Sequence, residues 1–378
     1  MIETTSPASE FVALHAELRD VTRDLLARTG PGGSVQPVVA ARQGWLGLEV
    51  PEEFDGAGAT FAESAVVLRE WGRAVAVGSY PSAVLAVGTC LALEPEPARD
   101  QLLRDLAAGE RTVAVALTAD AGACDATVPP FRLRYSGGRL TLSGRAEFVS
   151  DLPRADRLLL VAADPHGLPV VVSVAADTVG IVPRPLLDST RSFGGIVADE
   201  LAVPPDSIQH FIGDPVAAVG QLHDRAALTI ACDSLGLSAA VLDATVAYAG
   251  TRTQFGRPIG TFQAVKHACA DMLVRLTVSR HLVGAAVREV AAAAPGAGIA
   301  VAMAKSHACA AAVDLAGKAM QLHGGYGYTW DSGIHRYLER ATLNRALYGT
   351  PAAQRRRISA RYGAAIQQSG STEKDSRR

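Results

Sequence analysis

Several features that mark special classes of protein are scarce or absent in this chain. Aromatic residues make up only 5% of the 378 residues, so few rings are available for stacking on nucleic-acid bases. There is no excess of basic charge, since the formal net charge is −2, and this argues against a nucleic-acid partner. The first residues lack a basic start followed by an apolar run, so we expect no secretory signal. Charged residues interrupt the longest apolar stretches, so we expect no membrane span.

Cysteine is also sparse, and its pattern is uninformative for metal binding. No CxxC pair and no Cys/His ligand spacing occurs, so we expect no metal site. The odd number of cysteines and their Ala-rich apolar surroundings are typical of reduced core thiols in a cytoplasmic protein. The hydrophobic share of 48% and the charged share of 20% predict a soluble globular chain with a large core. The five cysteines are Cys90, Cys124, Cys232, Cys269 and Cys309.

The periodicity of apolar residues changes twice along the chain. It is helical over 1–111, becomes short and strand-like over 112–215, and is helical again over 216–365. We therefore predict an α+β protein, with an N-terminal helical domain, a middle antiparallel β domain and a C-terminal helical bundle. The polar residues 366–378 predict a disordered tail.

Within these regions, individual segments can be predicted. Gly137-Gly138 directly precedes a strand-like run and predicts a hairpin-type turn. Pro295 to Gly298 should break one long helix from the next, and Gly324-Gly325 should end the later one. The predicted strands are 112–118, 139–150, 157–163, 169–175 and 179–183. The main predicted helices are 61–74, 217–250, 261–294, 299–323 and 335–346.

The common nucleotide-binding motifs are missing. Neither GxxxxGK[ST] nor GxSxG occurs, and the glycines of Asp55 to Gly58 do not join a strand to a helix, so we interpret them as a turn. The most informative run is RTQFGRPIGTFQAVKH at 252–267, directly after a long helix. An arginine and a glutamine at a break between helices can bind a diphosphate. The same pattern also suits an ordinary helix–turn–helix corner with charged residues in solvent.

Three segments resemble the acyl-CoA dehydrogenase family. The run at 252–267 is similar to the segment that links the first two C-terminal helices of that family. QLHGGYGYT at 321–329 resembles its QxxGGxG element, and WLGLEVPEEFDGAG at 45–58 resembles its N-terminal segment. The matches fall in separate regions and span most of the chain. They imply a helical–β–helical subunit that binds FAD between the β domain and the C-terminal bundle.

The resemblance also implies a set of cofactor contacts. Arg252 would hold the FAD pyrophosphate of a neighbouring subunit, and Gln254 and Phe255 would lie near its adenosine part. The remainder of the dinucleotide cradle would comprise Gln263, Gln321, Gly324 and Gly325.

Further contacts are implied in the β domain. Leu117 and Thr118 would lie against the flavin pyrimidine, and Ser150 would approach the N5/O4 edge. Phe148 would stack on the ring, although a plain strand-core role fits it equally well. Cys124 replaces a serine of the family's LTEPGAGSD segment and is assigned to the substrate side.

The expected catalytic base is missing from its usual place. In the family a glutamate often precedes a Gly-Thr pair, but here Tyr348 stands before Gly349 and Thr350, the latter assigned to the cofactor. A phenol with a pKa near 10 is a poor base at neutral pH. Some family members carry the base about where Ala226 stands here. The nearest acid to that position is Asp224.

Other candidates for the substrate and the base stay open at this point. Asp224 and Arg225 are candidates for the base and for substrate binding, or they form a surface or CoA-facing pair. Asp331 is another acid near the dinucleotide cradle. Arg191, in a DxTR element, would serve the acyl or CoA side, or form a buried ion pair with Asp188.

The resemblance implies an FAD-dependent dehydrogenase that acts on an acyl-CoA or acyl-carrier thioester. Such a protein would be a homodimer, homotetramer or heterotetramer with a related subunit, and would pass electrons to an acceptor such as an electron-transfer flavoprotein. The alternative is a catalytically degenerate FAD-binding subunit whose partner supplies the base.

Overall fold

The N-terminal region of the computed structural model is helical. The structure describes residues 7–118, 120, 122 and 128–362, with the backbone alone for 7–12. The capping box of Thr60 and Glu63 fixes the start of the third helix, because the Thr60 hydroxyl accepts from the Ala62 amide at 3.1 Å and the Glu63 carboxylate from the Thr60 amide at 2.9 Å. The helices are α1 (Pro7–Thr29), α2 (Pro37–Arg42), α3 (Phe61–Arg73), α4 (Tyr80–Leu91) and α5 (Pro97–Ala108).

An eight-stranded sheet follows these helices. Its order is β6-β7-β3-β2-β4-β5-β8, with β1 paired to β4. Most pairs are antiparallel, as predicted, but β4 runs parallel to both β1 and β2, so the sheet is mixed. The strands are β1 (Val113–Ala116), β2 (Phe131–Ser136), β3 (Arg139–Ser150), β4 (Arg157–Ala163), β5 (Pro169–Ala175), β6 (Gly180–Arg184), β7 (Phe193–Ala202) and β8 (Ile208–Gln209).

The hairpin between β2 and β3 confirms the predicted turn. Gly137 and Gly138 both have positive φ, 56° and 77°, which is the conformation of a two-residue type I′ turn. The predicted strands do not include β2, β7 or the two-residue β8. Arg132 and Arg134 interrupt the apolar residues of β2 and are exposed, and Gly194-Gly195 near the start of β7 resembles a loop.

The C-terminal region is a bundle built around one long helix. The Asp214 carboxylate caps that helix by accepting from the Val216 amide at 2.9 Å. The helix packs against α3, α4 and the other helices of the bundle. The elements are α6 (Pro215–Thr251), a short hairpin of β9 (Thr253–Gln254) and β10 (Arg257–Pro258), α7 (Gln263–Ala291), α8 (Ala297–Leu322), α9 (Ile334–Ala346) and α10 (351–362).

Two of these helices, α6 and α8, are long and apolar enough to cross a membrane by length and composition alone. Of their most apolar windows, 67% and 61% of the residues are buried inside the protein, as in core helices of a soluble fold. The five helices predicted with bounds, α3, α6, α7, α8 and α9, begin and end within three residues of the predicted positions. The exact division into three domains stays a prediction, and the predicted tail at 366–378 lies outside the described residues.

Candidate cofactor cleft and candidate catalytic cavity

The ends of α6 and α8 face each other across an open cleft of about 570 Å³, here called the cofactor cleft. Five residues predicted to contact the cofactor line it. They are Arg252, Gln254, Gln321, Gly324 and Gly325. Its other lining residues are Tyr248, Ile259, Leu322, His323 and Tyr326.

The local sequence explains why these residues meet. α6 ends at Thr251. Arg252 then has an extended backbone conformation, which leads the chain into the β9–β10 hairpin. α8 ends at Leu322, and Gly324 then adopts a left-handed φ of 59° that favours glycine. Tyr248 stacks on the His323 ring with centroids 4.4 Å apart, which joins the two helix ends.

Two predicted cofactor residues lie outside this cleft. Phe255 is 91% exposed and contacts Phe262 in a T-shaped arrangement with centroids 6.1 Å apart. Gln263 is exposed at the start of α7. Within this subunit, neither residue contributes to the cleft.

A second, enclosed site of about 20 Å³, here called the catalytic cavity, lies where α4, β1, the end of β3, α6 and the α9–α10 turn meet. Both positions at which the resemblance expects a base, Ala226 and Tyr348, line it. None of the described lining residues carries a carboxylate. They are Pro81, Ser82, Leu85, Val115, Ser150, Arg191, Phe193, Ala226, Thr229, Ile230, Leu347 and Tyr348.

Tyr348 sits in a turn that the rest of the protein holds in place. Its φ is 49°, and its carbonyl accepts a hydrogen bond from Gln354 at 3.0 Å. The fully buried Lys305 donates from Nζ to the carbonyls of Asn344 and Gly349, at 2.9 and 3.2 Å. Burial raises the pKa of Tyr348 to about 12, and nearby Arg191 opposes this shift. The phenol is therefore neutral at physiological pH and available as a hydrogen-bond donor.

A buried hydroxyl–carboxyl chain forms one wall of the cavity. Ser82 donates to the Asp151 carboxyl at 2.5 Å, and its Oγ lies 3.0 Å from the hydroxyl of Ser150. Burial raises the pKa of Asp151 above its ordinary value, although the hydrogen bond from Ser82 opposes this. Asp151 itself does not line the cavity, and the hydroxyls of Ser82 and Ser150 lie between its carboxyl group and the cavity.

The other residues expected at the flavin ring surround this wall. Phe148, with φ of 53°, packs in a hydrophobic cluster with Phe193 and Leu347. Leu117 is buried at the end of β1 and Thr118 follows it, partly exposed. Thr350 caps α10, where its hydroxyl accepts from the Ala353 amide at 3.3 Å.

Arg191 belongs to a buried charge network beside the cavity. Its Nη2 lies 3.0 Å from the Asp233 carboxylate, so the predicted ion pair with Asp188 is wrong. Asp188 instead accepts from the Thr190 amide at 2.9 Å and lies 3.7 Å from Arg340. Arg340 also lies 3.4 Å from Asp233 and donates to the Thr190 hydroxyl at 2.6 Å. Burial lowers the pKa of Arg340 to about 10, so it remains cationic at neutral pH.

Family models match most of the chain. The acyl-CoA dehydrogenase N-terminal domain matches residues 37–110, and the acyl-CoA dehydrogenase C-terminal domain matches residues 217–363. The chain belongs to the acyl-CoA dehydrogenase family. Its expected fold is thereby confirmed.

Individual acyl-CoA dehydrogenases resemble the whole chain. Acyl-CoA dehydrogenase IpdE2 of Mycolicibacterium smegmatis is 30% identical over 93% of this chain and 94% of that protein. A subunit of the ChsE4-ChsE5 complex from Mycobacterium tuberculosis superposes with a TM-score of 0.83 and 26% identity, over 96% of this chain and 99% of that chain. A variant of the Tcur3481-Tcur3483 steroid ACAD superposes with a TM-score of 0.81 and 27% identity, over 93% and 99%.

For an acyl-CoA dehydrogenase, two of the predicted roles in this chain require correction. Asp224 is the candidate base, but it does not line the cavity. Its carboxylate instead pairs with the Arg357 guanidinium on α10 at 2.9 Å. Arg225 is not a surface or substrate-facing residue either. Its guanidinium is buried, donates to Glu49 at 2.5 Å and to the Val84 carbonyl at 3.0 Å, and lies over the Phe61 ring.

Helical geometry explains the error. Asp224 precedes Ala226 by two positions on α6, which places the two side chains on nearly opposite sides of the helix. Asp331 lies in an exposed turn after Trp330 and lines neither site. Cys124 falls outside the described residues.

Several site residues were not predicted. Asp233 and Thr229 are polar residues inside the apolar run of α6, and such an interruption is the signal that could have drawn attention to them. Asp151 directly follows Ser150 and could have been considered with it. Nothing local marks Ser82 or Arg340, because their partners lie far away in the sequence.

Proposed function

We propose that this chain binds FAD and takes part in the α,β-dehydrogenation of an acyl-CoA or acyl-carrier thioester. The observation that carries the proposal is the convergence of five motif residues on the cofactor cleft. These residues come from two segments about 70 positions apart, so neither motif alone would produce the arrangement. Family membership supports the same class of chemistry, an oxidoreductase acting on a CH–CH bond.

The residues present suit a flavin dinucleotide. Arg252 offers a charged fork for a pyrophosphate, and Gln254 and Gln321 offer amides for ribose or adenine edges. Gly324 and Gly325 carry no side chains, so the backbone can approach a diphosphate closely. FAD supplies the acceptor of the hydride that leaves the β-carbon. The chain must orient the thioester, exclude water and provide a destination for the α-proton.

The proposed complete site needs more than one subunit. The cofactor cleft is open, and aromatic side chains around it lie in solvent: Phe255, Tyr326, Tyr328 and Trp330. A neighbouring subunit that covers this region would bury them and bring its cofactor to Arg252. We therefore propose a homodimer, homotetramer or heterotetramer in the cytoplasm, with an electron-transfer flavoprotein or similar acceptor.

A second candidate function is favoured by a specific observation. Both base positions, Ala226 and Tyr348, face the cavity, and neither can readily accept a proton. The chain would then be a catalytically degenerate FAD-binding subunit of a heteromeric dehydrogenase, whose partner supplies the base. One chain of the ChsE4-ChsE5 complex is a structural relative of this chain, which supports a role within a complex.

Flavin content tests the shared part of both candidates. The purified protein should be yellow, and Arg252→Ala should weaken FAD binding by about 10- to 100-fold, as expected for loss of a charged hydrogen bond. Arg134→Ala, which removes an exposed arginine from β2, is the matched control and should not change it. A colourless protein that takes up no FAD, alone or with a partner subunit, would contradict the proposal.

The two candidates are separated by reducing the flavin. Anaerobic titration with a panel of acyl-CoAs should bleach the isolated chain if it is an active dehydrogenase. If it is a degenerate subunit, bleaching should appear only with its partner. Sedimentation should show an oligomer, and a flavin-saturated monomer at micromolar concentration would contradict the shared site.

A further inference from the structure

Two carboxyl groups contact side chains that line the catalytic cavity, and they differ in what joins them to it. Asp233 lies 3.0 Å from Arg191, whose guanidinium stays protonated in proteins and cannot pass a proton on to that carboxylate. Asp151 instead accepts from the Ser82 hydroxyl at 2.5 Å. A hydroxyl donates one proton while its oxygen accepts another, so the contact with Asp151 can conduct a proton.

Ser150 extends this path along the wall of the cavity. Its Oγ lies 3.0 Å from the Ser82 Oγ and 3.5 Å from the Asp151 carboxyl. Both serines line the cavity, whereas Asp151 does not and is only 4% exposed. Hydroxyl hydrogens rotate, so Ser150 can donate to Ser82 while Ser82 donates to Asp151. The three side chains then form a directional path from the cavity to a buried carboxyl group.

The surroundings of Asp151 increase its affinity for a proton. Burial raises the pKa of Asp151, although the hydrogen bond from Ser82 and the nearby guanidiniums of Arg191 and Arg154 oppose this. The phenol of Tyr348 also lies near Asp151, and it stays neutral because burial raises its own pKa to about 12. A general base works best when its pKa is close to the working pH, so a raised carboxyl pKa suits this role.

We propose that Asp151 is the proton acceptor of the catalytic cavity, and that Ser150 and Ser82 carry the α-proton of the thioester to it. The inference rests on the proposed function, because it assumes that a thioester enters the cavity. It gives this chain a base of its own in place of the glutamate that is missing at position 348. It therefore favours the active dehydrogenase over the degenerate subunit.

The proposed step balances with the thioester and FAD as its reactants. The Cα–H bond breaks, and its electron pair forms the α,β double bond while the β-hydrogen leaves with its own electron pair to the bound FAD. The α-proton bonds to a serine oxygen as the proton of that hydroxyl moves along the path to Asp151. Both serines end the step neutral, and Asp151 ends it protonated. Because this path needs its hydroxyls aligned, we expect it to be slower than direct transfer to a carboxylate at position 348.

Infrared spectroscopy of the FAD-loaded protein tests the path without turnover. The wild type should show the carbonyl band of a protonated carboxyl group that titrates with pH and that Asp151→Asn lacks. Ser82→Ala should move the midpoint of this titration to higher pH, because the carboxylate loses a hydrogen bond that favours its charged form. Ser64→Ala is the matched control and should leave the band unchanged. The buried Ser64 hydroxyl donates to the Glu49 carboxylate at 2.6 Å but does not line the cavity.

Anaerobic flavin reduction by an acyl-CoA then connects the path to the reaction, in the protein alone and with its partner subunit if it has one. The rate should rise with pH through the midpoint of the infrared band, because only the ionised carboxylate accepts a proton. Asp151→Asn should lower the rate by about 10²- to 10⁴-fold, the usual contribution of a general base. Ser150→Ala should also lower it, whereas Ser150→Thr, which keeps the hydroxyl, should retain the wild-type rate.

Two outcomes would overturn the inference and leave the proposed function intact. The first is an infrared titration that Asp151→Asn does not change, because Asp151 would then exchange no proton in this range. The second is a rate of flavin reduction that Asp151→Asn does not change, which would assign the base to the partner or to Tyr348. If no acyl-CoA reduces the wild-type flavin even with a partner present, the proposed function itself fails, and the inference fails with it.

Discussion

The cofactor cleft and the catalytic cavity are built in opposite ways. The cleft is open and formed by helix ends and a short hairpin, so its residues are grouped in two local motifs. The cavity is enclosed and formed by residues from elements that lie far apart in the sequence. The cleft retains the residue types expected for its ligand, whereas the cavity has exchanged the expected carboxylate for a phenol and an alanine. The proposed cofactor site therefore keeps the residue types that the family resemblance implies, and the proposed reaction site does not.

The strongest test of this contrast restores the missing carboxylate. Tyr348→Glu should raise the rate of flavin reduction by acyl-CoA by about 10²- to 10⁴-fold, the usual contribution of a positioned general base. The turn around residue 348 is held through backbone carbonyls, so the substitution should not disturb it. Stopped-flow absorbance under anaerobic conditions measures the rate. Robust wild-type turnover that Tyr348→Phe abolishes would instead make the tyrosine the proton acceptor.

A buried charge network lies beside the cavity. Arg340→Ala would leave Asp188 and Asp233 partly uncompensated, and should lower the free energy of unfolding by about 3–5 kcal/mol. Arg184→Ala breaks an exposed ion pair with Glu147 and should lower the free energy of unfolding far less. Urea denaturation of both variants measures the difference. Equal costs would show that the network contributes no more than a surface ion pair.

The position of Asp224 outside the cavity predicts a purely structural effect. Asp224→Asn should cost about 1 kcal/mol of stability through the loss of charge in its pair with Arg357. Flavin reduction, with or without a partner subunit, should be unchanged. An abolished rate with intact folding would return Asp224 to the role of base and contradict the geometry.

The smallest expected effect is a pH dependence of stability from Asp151. Burial raises its pKa, so the protonated form stabilises the fold below the unfolded pKa of about 4. That contribution is lost as the pH rises through the higher folded value. Asp151→Asn keeps an acceptor for Ser82 and removes the charge, so it should be more favourable relative to wild type at pH 7 than at pH 4. Thermal melts across this range, with the exposed Asp156→Asn as control, measure the trend; a constant difference would exclude it.

The fold could be predicted where patterns are local. The long helices and the Gly137-Gly138 turn follow from periodicity and from glycine conformation, and the observed bounds agree closely. The parallel pairing of β4 with β1 and β2 could not be predicted, because pairing partners are chosen by the whole sheet. The same distinction applies to the site. Arg252 and Gly324 belong to contiguous motifs, whereas the partner of Arg191 is set by how a loop packs on α6.

The turn around Tyr348 has a consequence for the history and redesign of this protein. Lys305 and Gln354 bind its backbone carbonyls, so these contacts with the turn do not involve the side chain of residue 348. A substitution at residue 348 leaves these backbone contacts in place. A single change at this position could therefore remove or alter the catalytic activity during evolution. Residue 348 is therefore a suitable position for protein engineering. Histidine, cysteine or glutamate could be introduced there, beside the cavity, one at a time.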